Sequence, residues 1–220
     1  MLSNLPVLEA CPLFVGMSRK DLESLLPCLA PVARRLAKGA FAFVAGEKGP
    51  RLGVVVAGAV NVVQDDFWGN RTILTHVTVG GMFGEAVMAS DTGGETSVQA
   101  ATDAEVVLFD GERLLEKCST ACAFHVRVIK NFVMLVSRKN IELSRKIEVL
   151  TRRSTREKLL AFLSDQSLAA SSSEFDIPFT RQELAEYLAV DRSAMSHELS
   201  KMRDEGLLEF RKNHFSLRHS

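Results

Sequence analysis

From residue 126 to residue 150, apolar side chains recur at alternating steps of three and four: Val126, Ile129, Val133, Val136, then Leu143, Ile147 and Leu150, with Asn140 in the one polar slot. A 3.5-residue repeat sustained this long confines the segment to a helix with a seam that must face another helix. In heptad terms Val126, Val133, Asn140 and Ile147 occupy a, and Ile129, Val136, Leu143 and Leu150 occupy d. Mostly β-branched a positions favour two strands, and one buried Asn at a fixes register and oligomer state. Phe132 and Leu135 form a second apolar set on the same helix, expected to pack against the chain's own sheets. Basic residues flank the seam: Arg127, Lys130, Arg138, Lys139, Arg145 and Lys146. The segment therefore predicts a long dimerisation helix and a homodimer.

Upstream the texture differs. Residues 1–29 read as short helices, with Leu22, Leu25, Leu26 and Leu29 at helical spacing behind Ser18. From Val32 to Asp110 short β-prone runs alternate with glycine breaks. The runs include Phe41–Val44, Leu52–Val56, Val60–Val63, Thr72–Val79 and Val106–Phe109. The breaks include Gly39, Gly46, Gly49, Gly58, Gly69, Gly80 and Gly93. Many short strands at this spacing predict an all-β roll of the jelly-roll type.

Downstream, a helix is expected around Arg156–Leu163, followed by a small-residue loop, Ala169 to Ser173. Thr180-Arg181-Gln182-Glu183 then has the form of a capping box. It opens a short helix from Arg181 to Leu188, a turn at Ala189-Val190, and a second helix from Arg192 to about Glu205, capped by Asp191 and ended by Gly206. Leu207–Phe210, a turn over Arg211–His214, and Phe215–Leu217 read as a wing. Helix, turn, helix and wing together predict a DNA-binding module whose second helix enters the major groove. Arg192, Ser193, Ser196 and His197 are placed to read base edges, and Thr180, Arg181, Lys201, Arg211 and Lys212 to contact phosphates. The fold expected is thus α+β: an N-terminal β-roll, a dimerisation helix and a C-terminal winged helix-turn-helix. The boundaries expected are 1–122, 123–151 and 152–220.

Composition narrows the function classes. Net charge is zero, and residues 178–220 carry seven Lys/Arg against seven Asp/Glu, so a DNA-facing surface must arise by segregation of charge. The N-terminus lacks a signal peptide's charged and apolar regions, and no apolar run reaches membrane-spanning length; a cytoplasmic protein with no membrane partner is expected. The cysteines, Cys11, Cys28, Cys118 and Cys122, are then reduced, and their spacing does not suit an iron–sulfur cluster. The β-rich half has two histidines, His76 and His125, too few for a metal-dependent barrel enzyme. No nucleophile–base pair or phosphate loop stands out, and no enzyme is expected.

The motifs Gly39-Ala40-Phe41, Gly46-Glu47, Ala57-Gly58-Ala59-Val60 and Gly80-Gly81-Met82-Phe83-Gly84-Glu85, with Thr180–Ala185 and Arg192–Ser196, resemble the family of the cyclic-AMP receptor protein and the fumarate–nitrate reductase regulator. The resemblance spans nearly the whole chain. It implies a dimeric transcription factor that reads near-palindromic double-stranded DNA, contacts RNA polymerase if it activates, and is controlled by a small-molecule or gas effector in the β-roll. The implied effector pocket comprises Gly84, Glu85, Glu95, Thr96, Ser97, Leu143 and Ser144. Cyclic-nucleotide binders of this family carry an Arg and a small polar residue after the Gly-Glu pair. Here the stretch reads Gly93-Gly94-Glu95-Thr96-Ser97, and a carboxylate repels the phosphate that an Arg would clasp. Cyclic AMP is therefore expected to bind weakly or not at all. Some relatives hold haem, which makes His76 or His125 the candidate axial ligand and a haem- or thiol-based sensor the alternative reading. Relatives also carry Arg at the position of His197, so a different operator preference is expected.

Overall fold

The computed structural model describes residues 5–47, 51–88, 94–115 and 123–218. Gly49, Gly93, Cys118 and Cys122 lie outside the described residues. Contacts divide the chain into two units, residues 1–70 with 74–140, and residues 71–73 with 141–220.

In the first unit, α1 (Leu5–Ala10) and α2 (Arg19–Leu25) are each followed by a short 3-10 turn. Ser18 caps α2 through a reciprocal box with Asp21. The strands are β1 (Val32–Leu36), β2 (Phe41–Phe43), β3 (Arg51–Ala57), β4 (Ala59–Asp65), β5 (Arg71–Thr78, whose first three residues fall in the second unit), β6 (Met82–Phe83), β7 (Ser97–Ala100) and β8 (Ala104–Asp110). One-turn α3 (Glu85–Met88) follows β6, and α4 (Gly111–Leu115) follows β8. The strands form two antiparallel sheets, β1-β8-β3-β6 and β2-β7-β4-β5.

Strand periodicity explains why Leu52–Val56 and Val106–Phe109 are continuous apolar runs. Successive side chains alternate faces, and both faces of β3 and β8 are covered. Leu52, Val54, Val56, Val107 and Phe109 pack against Leu8, Phe14, Leu22 and Leu25 of the N-terminal helices and turns. Val55, Val106 and Leu108 point the other way, into a core with Phe43, Val60, Phe83 and Val98. Gly53 is required there: a Cβ at that position would lie 2.1 Å from the Phe83 ring.

The long helix is α5 (Ala123–Leu150). Val128 is buried in the first of these cores, and Phe124, Phe132 and Leu135 pack against it. Phe132 and Leu135 are the second apolar set expected from sequence; Val128 and Phe124 join them. The Asn131 amide donates to the carbonyls of Leu13 and Val15, both at 3.0 Å, and so pins the helix to the N-terminal segment.

In the second unit, α6 (Thr155–Ala170), α7 (Arg181–Leu188) and α8 (Arg192–Asp204) pack around Leu159, Phe162, Leu163, Leu184, Met195 and Leu199. A three-stranded sheet of β9 (Glu174–Asp176), β10 (Leu208–Arg211) and β11 (His214–Leu217), in the order β10-β11-β9, completes it. Two expectations change. The helix runs through Ala169 and Ala170, good helix formers, and ends where Ser171 turns left-handed at φ 51°. The wing turn is tighter than a four-residue loop, because Arg211 pairs with His214 in the ladder and Lys212, at φ 55°, turns the chain with Asn213. No described helix is long and apolar enough to cross a membrane.

Candidate nucleic-acid interface

The entry to α7 is built as its sequence dictates. The Glu183 amide donates to Thr180 Oγ1 at 3.3 Å, and the Thr180 amide donates to Glu183 Oε2 at 2.8 Å. Ala189 adopts the left-handed conformation at φ 48°, which ends the helix and makes the turn. Lys158 of α6 donates to the Leu188 carbonyl at 3.3 Å, a cation at the negative end of α7. Asp191 then caps α8, accepting from the Ala194 amide at 2.8 Å and from Ser193 Oγ at 2.5 Å. These bonds hold the Asp191 carboxyl below its usual pKa, the Ser193 hydroxyl first among the causes.

Periodicity splits α8 into two faces. Met195, Leu199 and Met202 are buried, while Arg192, Ser193, His197 and Lys201 are exposed and Ser196 is half-buried. Exposed polar residues at the start of a capped helix, held on a rigid core, are what a groove-reading helix needs. The helix ends in a Schellman motif: the Leu207 amide donates to the Met202 carbonyl at 3.0 Å, with Gly206 at φ 77°. Arg156 of α6 locks α8 in place through Glu198 at 3.2 Å and through a second ion pair to Glu205. Arg211 and Lys212 are exposed at the wing tip.

Arg181 sits differently from the rest. Its guanidinium stacks 4.8 Å from the Phe210 ring centroid and 5.0 Å from that of Phe215, beneath the wing. Its two terminal nitrogens are buried with no hydrogen-bond partner. Desolvation lowers its pKa for that reason.

Of the implied effector-pocket residues, Glu85 opens α3 and pairs at 2.7 Å with Lys139 of α5, a residue sequence reasoning placed only among basic flanks. The same ammonium donates to the Met82 carbonyl, and Glu85 Oε2 is buried without a partner. Nothing in the sequence ties residue 85 to residue 139; only folding brings them together. Glu95 is exposed and accepts from Gln64 at 3.5 Å, and Ser97 Oγ accepts from the Ala45 amide at 2.9 Å. Gly84 is buried, Thr96 is half-buried, and Leu143 and Ser144 are exposed on α5.

The redox-relevant residues are set into the protein. Cys11 is fully buried, and desolvation pushes its thiol up to about 11, which keeps it neutral and unreactive. His76 shares a 2.7 Å hydrogen bond with the buried Asn61, and His125, also buried, contacts the Arg113 carbonyl at 3.1 Å. Among the described residues no His/Cys/Asp/Glu group converges as a metal site.

Comparison with known proteins agrees with this architecture. Residues 33–121 match the cyclic nucleotide-binding domain, and residues 157–219 match the Crp-like helix-turn-helix domain. No curated protein matches the chain. Among solved structures, the c-di-GMP responsive global regulator CLP of Xanthomonas campestris is 19% identical with a TM-score of 0.76, covering 92% of this chain and 100% of its own. FixK2 of Bradyrhizobium japonicum is 21% identical with a TM-score of 0.70, covering 86% and 93%. A CooA mutant of Carboxydothermus hydrogenoformans is 18% identical with a TM-score of 0.68, covering 89% and 86%. At these identities the likeness is one of fold. With the two domains matched in this order and the whole fold shared with such regulators, the chain belongs to the CRP/FNR family of transcription regulators, with a cyclic nucleotide-binding-like domain and a Crp-like helix-turn-helix.

Proposed function

We propose that the protein acts in the cytoplasm as a homodimer that binds near-palindromic duplex DNA and is switched by a signal sensed in residues 1–122. In this reading residues 123–151 form the dimer contact and residues 152–220 the DNA-binding unit. The observation that carries it is the seam of α5. Val126, Val133, Val136, Leu143 and Ile147 are 69%, 55%, 38%, 43% and 59% exposed, although the helix buries its other apolar face. A contiguous apolar stripe left in water marks an interface, and this one has the heptad pattern of a two-stranded coiled coil. Two copies of α8 then read two half-sites about one helical turn apart.

The base readers are Arg192, Ser193, Ser196 and His197. Thr180, Lys201, Arg211 and Lys212 contact phosphates, and Arg181 joins them by leaving the wing. RNA polymerase is a further partner if the protein activates. Glu95, exposed in the stretch where cyclic-nucleotide binders of the family carry an Arg, leaves the β-roll poorly suited to a cyclic phosphate. Selection from random duplexes with the purified protein tests the reading. A two-fold motif with half-site centres about 10–10.5 base pairs apart is expected. An unsymmetrical motif, or no enrichment, would contradict it.

A further inference from the structure

The face of α5 turned away from the seam borders a cavity of about 660 Å3 in the second unit. Glu142, Arg145, Lys146 and Val149 line it from heptad positions c, f, g and c. Pairing through a and d therefore leaves this cavity open. Phe162, Asp165, Gln166, Leu168 and Ala169 of α6 and Tyr187 of α7 line its other sides, and it stays open to solvent. Lys146 is an unusual wall for such a space. It is only 7% exposed, its ammonium lies 3.8 Å from the Tyr187 ring centroid, and it donates to the Ile73 carbonyl of the same unit. Burial drops its pKa to about 8, so the fold holds this cation at a cost in solvation. An anion beside it would offset that cost. Apolar surface adjoins it: Val149 and Phe162 are buried, and the Tyr187 ring packs tilted against Phe162 and Phe179, while Gln166 adds a further polar group to the lining.

We propose that this cavity is a ligand site for a small apolar carboxylate, with the carboxylate on Lys146 and an aromatic or branched body against Val149, Phe162 and Tyr187. The rim selects the class. Arg145 adds a second cation, while the carboxylates of Glu142 and Asp165 oppose a dianion such as phosphate. Tyr187 stays a neutral phenol, since burial and then the fields of Glu142 and Asp165 raise its pKa. Tyr187 belongs to the helix that precedes the recognition helix, so occupancy should change operator affinity; that consequence rests on the DNA-binding reading above.

The test uses the full-length protein with benzoate, phenylacetate and 3-phenylpropionate as probes, read by ligand-detected NMR and calorimetry. Phenylacetamide is the neutral comparator. At least one acid should bind saturably with a Kd of roughly 1 mM or tighter, the range for ligands of this size. Lys146→Met, and replacement of acid by amide, should each weaken binding at least about tenfold. Lys146→Arg should retain it, and binding should fall above pH about 8 as the ammonium is lost. Saturable binding by none of the acids, or equal binding of acid and amide, overturns the site. So does binding indifferent to Lys146→Met, or a Val149→Phe protein, its cavity filled, that binds the acid as wild type does. Operator binding measured on the same samples keeps the two ideas apart. Protein that binds DNA but no acid refutes the site alone; protein that binds the acid but no DNA refutes the DNA reading alone.

Discussion

Arg181 separates what a sequence says about a residue from what a fold does with it. By position it belongs among the phosphate contacts, yet its guanidinium lies under Phe210 and Phe215 with two buried nitrogens unpartnered. Leaving buried donors unsatisfied costs about 1–3 kcal/mol. If the arginine leaves the wing to meet a phosphate, Arg181→Met should raise the stability of the free protein by about 1 kcal/mol and lower the salt slope of DNA binding by about one contact. Thermal melts and affinities across a salt series measure both. Lys146 poses a similar problem with a clear pH sign. Its folded pKa, about 8, lies below its ordinary 10.5, so between those values the unfolded chain holds a proton the folded chain has released. Its contribution to stability therefore rises with pH across that window, and below it the lysine is a net cost. The melting difference between wild type and Lys146→Met should favour the variant near pH 7 and shrink towards pH 10. His197, one of the proposed base readers, is exposed on α8. His197→Arg should change the selected motif itself, and an unchanged motif would remove His197 from the base readers.

Among the elements, α5 shows most plainly how sequence becomes structure. Its two apolar sets are legible because both follow helical periodicity, and Phe132 and Leu135 do pack against the core while the a and d residues stay outside it. Substitutions on the two faces should therefore fail in different ways. Val128→Ala opens a cavity and should cost about 1–3 kcal/mol in any oligomeric state. Val133→Glu with Ile147→Glu should leave each unit folded, by circular dichroism and melting, while weakening self-association. The helix-turn-helix was equally readable, since capping boxes and a C′ glycine are local signals that α7 and α8 obey. What escaped the sequence was non-local or too short to carry a period. β9 offers one buried residue, Phe175, and exists because β11 pairs with it. The Lys139–Glu85 pair spans 54 positions. The cavity beside Lys146 needs three helices to be in place before it has walls.

At the scale of the whole molecule, a neutral chain must bind a polyanion by arranging its charges. Within the second unit the structure does this by spending carboxylates on structure: Glu183 and Asp191 cap helices, and Glu198 and Glu205 hold Arg156. In the proposed reading, exposed Lys201, Arg211 and Lys212 are thereby left for phosphates and Arg192 for a base edge. A single such unit offers few contacts, and in the proposed reading affinity and two-fold specificity come from doubling it through α5. Dimerisation through α5 is therefore what the proposed function depends on. Sedimentation equilibrium of the purified protein, beside the Val133→Glu and Ile147→Glu double variant, tests it most directly. Two chains per particle are expected for wild type at micromolar concentration, and one for the variant. A wild-type protein that sediments as a single chain would contradict it.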